Sequence, residues 1–196
     1  MNKRSGIESR KRIIAAAMDV FSRKGYARAN IREIAKTAGL SVGGVYLYFR
    51  NKEDLYLSLL KNEMQDLVSQ TKKIVEQIES PGKALSEYLK MHFEYALKHK
   101  ELILLHIREH GFTFGIEVKR RFFKNQQNLI AQIIARGIRS GEFRRCNPQE
   151  MAKTIMGALR GVVLSMALDK EVHISSKVLN EVIFRGISNS AQRGRV

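Results

Sequence analysis

Between Asn30 and Phe49 the chain reads NIREIAKTAGLSVGGVYLYF, and this stretch limits the fold more than any other. Asn30 with Glu33 three residues on has the form of a capping box, a helix start. Ile31, Ile34, Ala35 and Ala38 recur at helical spacing until Gly39 ends the pattern. Ser41 then has the chemistry of a new N-cap, and Val45 and Phe49 share one side of a second helix that ends near Phe49. Neither segment is long enough to be stable alone. The preceding segment supplies the support: from Glu8 to Lys24, Ile13, Ile14, Ala17, Val20 and Phe21 fall on one helical face. Gly25 ends that helix, with Arg23 and Lys24 in its last turn, where the helix dipole favours cations. Three helices with a glycine turn between the last two make a helix-turn-helix unit.

Gly43 and Gly44 stand in the first turn of its second short helix, where together they cost about 2 kcal/mol relative to alanine. Omitting side chains is useful where backbone must lie close to something else. At the start of a recognition helix, that is the floor of a DNA major groove. The charge agrees. The formal net charge is +16, and residues 1–56 carry 12 Lys and Arg against 5 Asp and Glu. Such an excess favours a polyanionic partner.

The rest of the chain reads as helix after helix, with no convincing strand. Asn51 and Asp54 open a long helix with an apolar stripe at Leu55, Leu59, Leu60, Met64 and Leu67. The break ESPG at 79–82 precedes a helix from Pro81 to about Lys98. A shorter one follows over 101–109, then a long one over 116–139 stopped by Gly141. NPQEM from Asn147 starts a helix reaching about Leu168, and a last one runs from about Ser176 to Ser190. The expected fold is all-α with about nine helices: a DNA-binding domain over 1–50 and a larger helical body over 51–196. At 44% hydrophobic residues the chain can bury a substantial core. Its single cysteine, Cys146, excludes an intrachain disulfide and fits a reduced, cytoplasmic setting. No apolar run reaches the ~18 residues needed to span a membrane.

The run GYARANIREIAKTAGLSVGGVYLYFRNKEDLY resembles the DNA-binding region of TetR-type transcriptional regulators. The resemblance rests on Gly25-Tyr26, Ile34-Ala35, Ala38-Gly39, Tyr46, Tyr48-Phe49, Lys52 and Leu55, and covers residues 10–56. At Ala29 this chain departs from the family, which often has a phosphate-contacting hydroxyl there. The resemblance implies a repressor that binds a palindromic operator as a homodimer and is released by a small-molecule effector. It also implies a pocket among the middle helices and a four-helix bundle formed by the last two long helices and their symmetry mates.

Within that frame the DNA-contacting residues are expected to be Arg32, Val42, Gly43, Gly44, Tyr46, Leu47, Tyr48 and Lys52. Arg32 can fork onto guanine O6 and N7, and Val42 can touch a thymine methyl. The hydroxyls of Tyr46 and Tyr48 can donate to phosphate. Lys52, starting a helix, can hold a phosphate with its ammonium and the helix end together. Lys3, Arg4 and Arg10 form a basic arm suited to the backbone or the minor groove. Met64, Tyr88, Met91, His92, Tyr95 and Phe123 are candidate effector-lining residues, with plain core packing as the alternative for each. Arg160, in an apolar setting on the side of Lys153, is either a solvated or interface arginine or a partner for an anionic group. With no buried acidic cluster evident, the effector is expected to be apolar or anionic. On the 148–168 helix, Gly157, Ala158, Gly161 and Ser165 make a small-residue strip that fits a dimer interface, or internal packing against the final helix.

Two readings of another kind compete. His106-Ile-Arg-Glu-His110 matches H-x-x-E-H, a zinc-peptidase signature, so a metal-dependent hydrolase is one alternative. A basic helical interaction protein without sequence-specific DNA binding is the other. With no third ligand in view, no metal, cofactor or catalytic residue is expected. Cys146 near a histidine could sense redox state, but a lone turn thiol is more often inert.

Overall fold

A computed structural model describes residues 3–100, 103, 115–169 and 175–189, with backbone alone at Lys3, Arg4 and Ala167. Eight α-helices are present among them: α1 Lys3–Arg28, α2 Ile31–Ala38, α3 Val42–Tyr46, α4 Lys52–Glu76, α5 Pro81–Lys98, α6 Ile116–Ser140, α7 Pro148–Leu168 and α8 Ser176–Ile187. The expected helix over 101–109, with the HIREH motif, lies outside the described residues except for residue 103, which is helical. The only β feature among them is an isolated bridge between Phe143 and Ser188. No described helix is long and apolar enough to cross a membrane.

The chain divides into two compact units: Met1–Met64 with Glu101–Val118, and Gln65–Lys100 with Lys119–Val196. The first unit runs past residue 50 because Leu55, Tyr56 and Leu59 of α4 complete its core. That core takes in the predicted face of α1 (Ile13, Ile14, Ala17, Val20, Phe21), with Ile34, Ala35 and Ala38 of α2 and then Val45 and Phe49. Phe21, Tyr26 and Tyr56 form an aromatic trio with centroids 5.2–5.6 Å apart. Gly25 breaks α1 at φ 80°, ψ 162°, a conformation that a side chain strains. The expected basic arm is part of α1: the helix begins at Lys3, and Arg10 lies over the Phe49 ring, 5.3 Å from its centroid.

The caps form largely as read. Asn30 Oδ1 accepts from Glu33 N at 2.9 Å, and Asn51 Oδ1 accepts from Asp54 N at 2.8 Å. The Glu33 carboxylate pairs with Lys24 Nζ at 2.8 Å. Gly39 closes α2 in the left-handed region, and Arg12 of α1 donates to the carbonyls of Ala38 and Gly39 beside it. A guanidinium at that end also meets the negative pole of the helix. α3 stops at Tyr46, three residues before the expected end. Tyr48 N turns to the Val45 carbonyl three residues back, and Asp54 accepts from Arg50 N to start the turn into α4.

In the second unit, α5 packs against α7 and α8, which also touch each other. Leu85, Tyr88, Leu89, Ile130, Ile134, Ala152, Ile155, Leu179 and Ile183 are among the side chains of its core. Arg136 of α6 donates to the carbonyls of Ile78 and Glu79 after α4, and Glu142 accepts from Gly82 N at the start of α5. After Gly141, Phe143 folds back onto Gly137 of α6. Arg144 then donates to the Gly186 and Ile187 carbonyls, and the Phe143–Ser188 bridge ends α8 at Ile187, three residues before the expected end.

Candidate nucleic-acid interface and effector site

α3 is positioned by Ser41, whose Oγ accepts from Gly44 N at 3.0 Å, and by Val45, which is fully buried. These two anchors leave the opposite side outward. Leu47 is 74% exposed and Tyr46 51% exposed, and Gly43, Arg32 and Arg50 are also exposed. Val42 and Tyr48 are placed differently from the expectation: both are half-buried and pack on the core of this unit. Ala29, at the departure from the family pattern, is buried.

The two glycines are not equivalent. A Cβ built on Gly43 meets nothing within 4 Å among the described residues, so none of them demands glycine there. A Cβ on Gly44 stands 3.2 Å from Ser41 Oγ, tight against the cap itself. Gly43→Ala is therefore expected to raise stability by up to about 1 kcal/mol through helix propensity while weakening operator binding. Gly44→Ala is expected to gain no stability. Thermal melts with gel shifts of both variants check this pair.

Lys52, expected at a phosphate, makes contacts within the protein: Nζ donates to the carbonyls of Tyr26 (2.8 Å), Ala27 (3.3 Å) and Ala29 (3.1 Å) and lies 4.3 Å from the Tyr26 ring centroid. It ties the start of α4 to the α1–α2 connection, because those carbonyls end a helix and lack intrahelical donors. Lys52→Met keeps the stem and removes the donor. It is expected to cost about 2 kcal/mol, read as a lower urea midpoint; a lysine touching only phosphate would leave the midpoint unchanged.

Of the effector candidates, Met64 belongs to the first unit and the other five to the second. Tyr88 and His92 are buried and stack at 4.1 Å, whereas Met91, Tyr95 and Phe123 are half-buried. Tyr95 stacks on His99 at 4.3 Å. Arg160 is exposed and lies 4.1 Å from the Phe123 ring centroid, a cation–π pair rather than an ion pair. The Tyr88 hydroxyl, His92 Nε2, both amide atoms of Gln126 and Thr71 Oγ1 are buried without hydrogen-bond partners among the described residues. Unpaired buried polar atoms cost about 1–3 kcal/mol each, so their presence in a core calls for a reason. Gln126 and Thr71 escaped sequence reading because a buried glutamine or threonine on a helix looks like a surface one.

Burial pushes the His92 pKa down to about 4, opposed by the Tyr88 carbonyl and the nearby Gln126 side chain. Burial pushes the Tyr88 phenol up. Both are neutral near pH 7. His92 Nδ1 lies 3.0 Å from the Tyr88 carbonyl oxygen. A carbonyl only accepts, so Nδ1 carries the proton and Nε2 is the ring's acceptor.

On α7, Gly157, Ala158, Gly161 and Ser165 are exposed, and neither glycine has a neighbour within 4 Å of a built Cβ among the described residues. α8 exposes Val178 (52%) and Val182 (65%), one turn apart. The sequence reading passed over these valines, although the i, i+4 spacing opposite Leu179 and Ile183 was a signal that α8 is apolar on two sides. Cys146 is half-buried against the core. No group of three metal-ligating side chains occurs among the described residues.

A short recognition helix on a compact three-helix support, joined to a separate helical body, defines a class: helix-turn-helix DNA-binding transcriptional regulators. The chain belongs to the TetR family. Residues 13–59 match the profile of the bacterial regulatory proteins of the tetR family, and residues 60–187 match that of the YsiA-like protein C-terminal region. It is 28% identical over 185 residues to the fatty acid metabolism regulator protein of Bacillus subtilis (strain 168), covering 90% of this chain and 94% of that one. The crystal structure of the regulator FadR from Bacillus subtilis in complex with stearoyl-CoA superposes with a TM-score of 0.76 at 26% identity, over 90% of this chain and 98% of that one. SmeT, the repressor of a Stenotrophomonas maltophilia efflux pump, has a TM-score of 0.76 at 17% identity, over 92% and 91% of the two chains, a likeness of fold alone. The hydrolase alternative falls, since this is a family of regulatory proteins rather than enzymes.

Proposed function

We propose that the protein is a dimeric cytoplasmic repressor that binds a palindromic operator and leaves it when its helical body takes up a long-chain acyl thioester. The observation that carries the DNA half is the outer side of α3: Leu47 and Tyr46 exposed, Gly43 open, with Arg32 exposed on α2. Leu47 meets thymine methyls, Arg32 reads guanine, Tyr46 donates to phosphate, and Gly43 lets the backbone come close. The positive end of α4 adds a phosphate contact without the Lys52 ammonium.

The exposed strip of α7 and the two valines of α8 suit a twofold interface, where small residues let helices approach and valines fill the gap. The acyl thioester is supported by the relative crystallised with stearoyl-CoA, and agrees with the expectation of an apolar or anionic effector. α4, Lys52–Glu76, begins in the first compact unit and ends in the second.

The test is a gel shift on DNA upstream of the protein's own gene, with salt titration, with and without stearoyl-CoA, on protein shown to be dimeric by sedimentation. The expected result is a specific shift abolished by stearoyl-CoA, and for Arg32→Ala a larger loss on operator than on random DNA. Equal affinity for all sequences favours the basic interaction protein. A shift untouched by stearoyl-CoA sinks the effector assignment.

A further inference from the structure

The recognition helix and its exit, residues 42–49, read VGGVYLYF, with no Arg, Lys, Asn, Gln, Asp or Glu. Those absent side chains are the ones that tell bases apart by hydrogen bonds: Arg and Lys on guanine, Asn and Gln on adenine, Asp and Glu on cytosine. The hydroxyls of Ser41 and Tyr46 are exposed, but a single hydroxyl suits more than one base. Ser41 Oγ is also engaged as the cap, accepting from Gly44 N. The exposed cations Arg32 and Lys36 stand on α2, and Arg50 stands beyond the bend, where Asp54 accepts from its N–H. Val45 and Phe49 are closed in the core, and Val42 and Tyr48 pack on it half-buried. The aliphatic side chain left outward is Leu47. On the major-groove edge its apolar counterpart is the C5-methyl of thymine. Cytosine carries the same group at the same ring position once it is methylated there.

We propose that the recognition helix reads the C5-methyl group itself rather than the base that bears it. Each operator half-site then holds a methyl-bearing pyrimidine under Leu47. In unmodified DNA that base is thymine. 5-Methylcytosine serves in its place, so cytosine methylation at that position strengthens binding. The inference rests on the operator-binding reading and adds the chemistry that the operator must offer.

Selection from a pool of random duplex DNA by the full chain gives the half-site. Anisotropy titrations at fixed salt then compare duplexes that differ by one methyl per half-site. Thymine is compared with deoxyuridine at each thymine, and 5-methylcytosine with cytosine at the same positions. At one position both exchanges are expected to favour the methylated base, by about fourfold for one half-site and roughly fifteenfold for two. Leu47→Ala should abolish both preferences with an unchanged urea midpoint, because the side chain is 74% exposed. The proposal is overturned, with operator binding intact, by a selected site without thymine or by indifference to deoxyuridine at every thymine. A preference shown by thymine but not by cytosine, or one that survives Leu47→Ala, overturns it equally. A pool from which no sequence is enriched overturns the operator-binding reading and this proposal with it.

Discussion

Gly137→Ala is expected to destabilise the body by about 2–3 kcal/mol, one of the two largest effects among the changes considered. A Cβ at this position of α6 would stand 2.1 Å from Phe143 Cδ2 and 2.7 Å from Cγ. Those ring atoms lie near the root of a buried side chain and cannot simply swing away. The ring is pinned by the Phe143 N–H, which donates to the Gly137 carbonyl at 3.0 Å, and by Phe184 at 6.3 Å between centroids. Alanine recovers up to about 1 kcal/mol of helix propensity, which the clash exceeds. Urea denaturation should show a lower midpoint for Gly137→Ala, and Phe143→Leu in that background should restore part of the loss while being destabilising alone. An unchanged midpoint for Gly137→Ala would mean that the loop after Gly141 does not pack as described.

The second large effect is on acid stability. With a folded pKa of about 4, His92 stays neutral in the native state while the unfolded residue titrates near its ordinary 6.5. The sign follows from linkage: the unfolded state binds the proton first, so stability is full above pH 6.5 and falls as pH drops towards 4. At about 1.4 kcal/mol per unit, the loss across that window is on the order of 3 kcal/mol. His92→Leu removes the proton-binding site, so its stability should decline less than wild type between pH 7 and pH 4. Urea midpoints at several pH values for both proteins test this, with the difference between them isolating His92 from the other four histidines. Parallel curves would place His92 in water rather than in the core. A helical body whose core depends on a neutral histidine is most secure near neutral pH.

Much of the fold was legible because helix signals are local. Asn30, Ser41, Asn51 and Ser80 each accept from a backbone N–H three residues on, and Gly39 and Gly141 adopt positive φ where helices stop. The apolar periods of α1, α2 and α7 name the buried faces. Of the residues expected at the DNA, Gly43, Tyr46, Leu47 and Arg32 are exposed, whereas Val42 at the start of α3 and Tyr48 beyond its end are half-buried; α3 ends at Tyr46 and the chain bends early towards α4. Periodicity alone extends a helix as far as the apolar pattern runs, and it contains nothing about that bend.

The cations were read least well. A basic residue in a sequence looks like surface charge awaiting an anion, yet Arg12, Lys52, Arg136 and Arg144 all donate to backbone carbonyls at helix ends. Part of the +16 excess therefore supports the fold rather than a polyanion. Arg12 and Lys52 each reach partners 26 residues away, and Arg136 reaches 58. No window of local sequence contains both halves of such a pair. The same holds for the space that Gly137 leaves for Phe143 and for the unpaired groups around His92. By itself the sequence determined the helices, their caps and the helix-turn-helix, because backbone propensity and apolar period act within a few residues. Only the tertiary structure decided which cations are structural, which glycine faces outward and which polar side chains lie unpaired in the core, because these depend on what distant segments bring within a few ångströms.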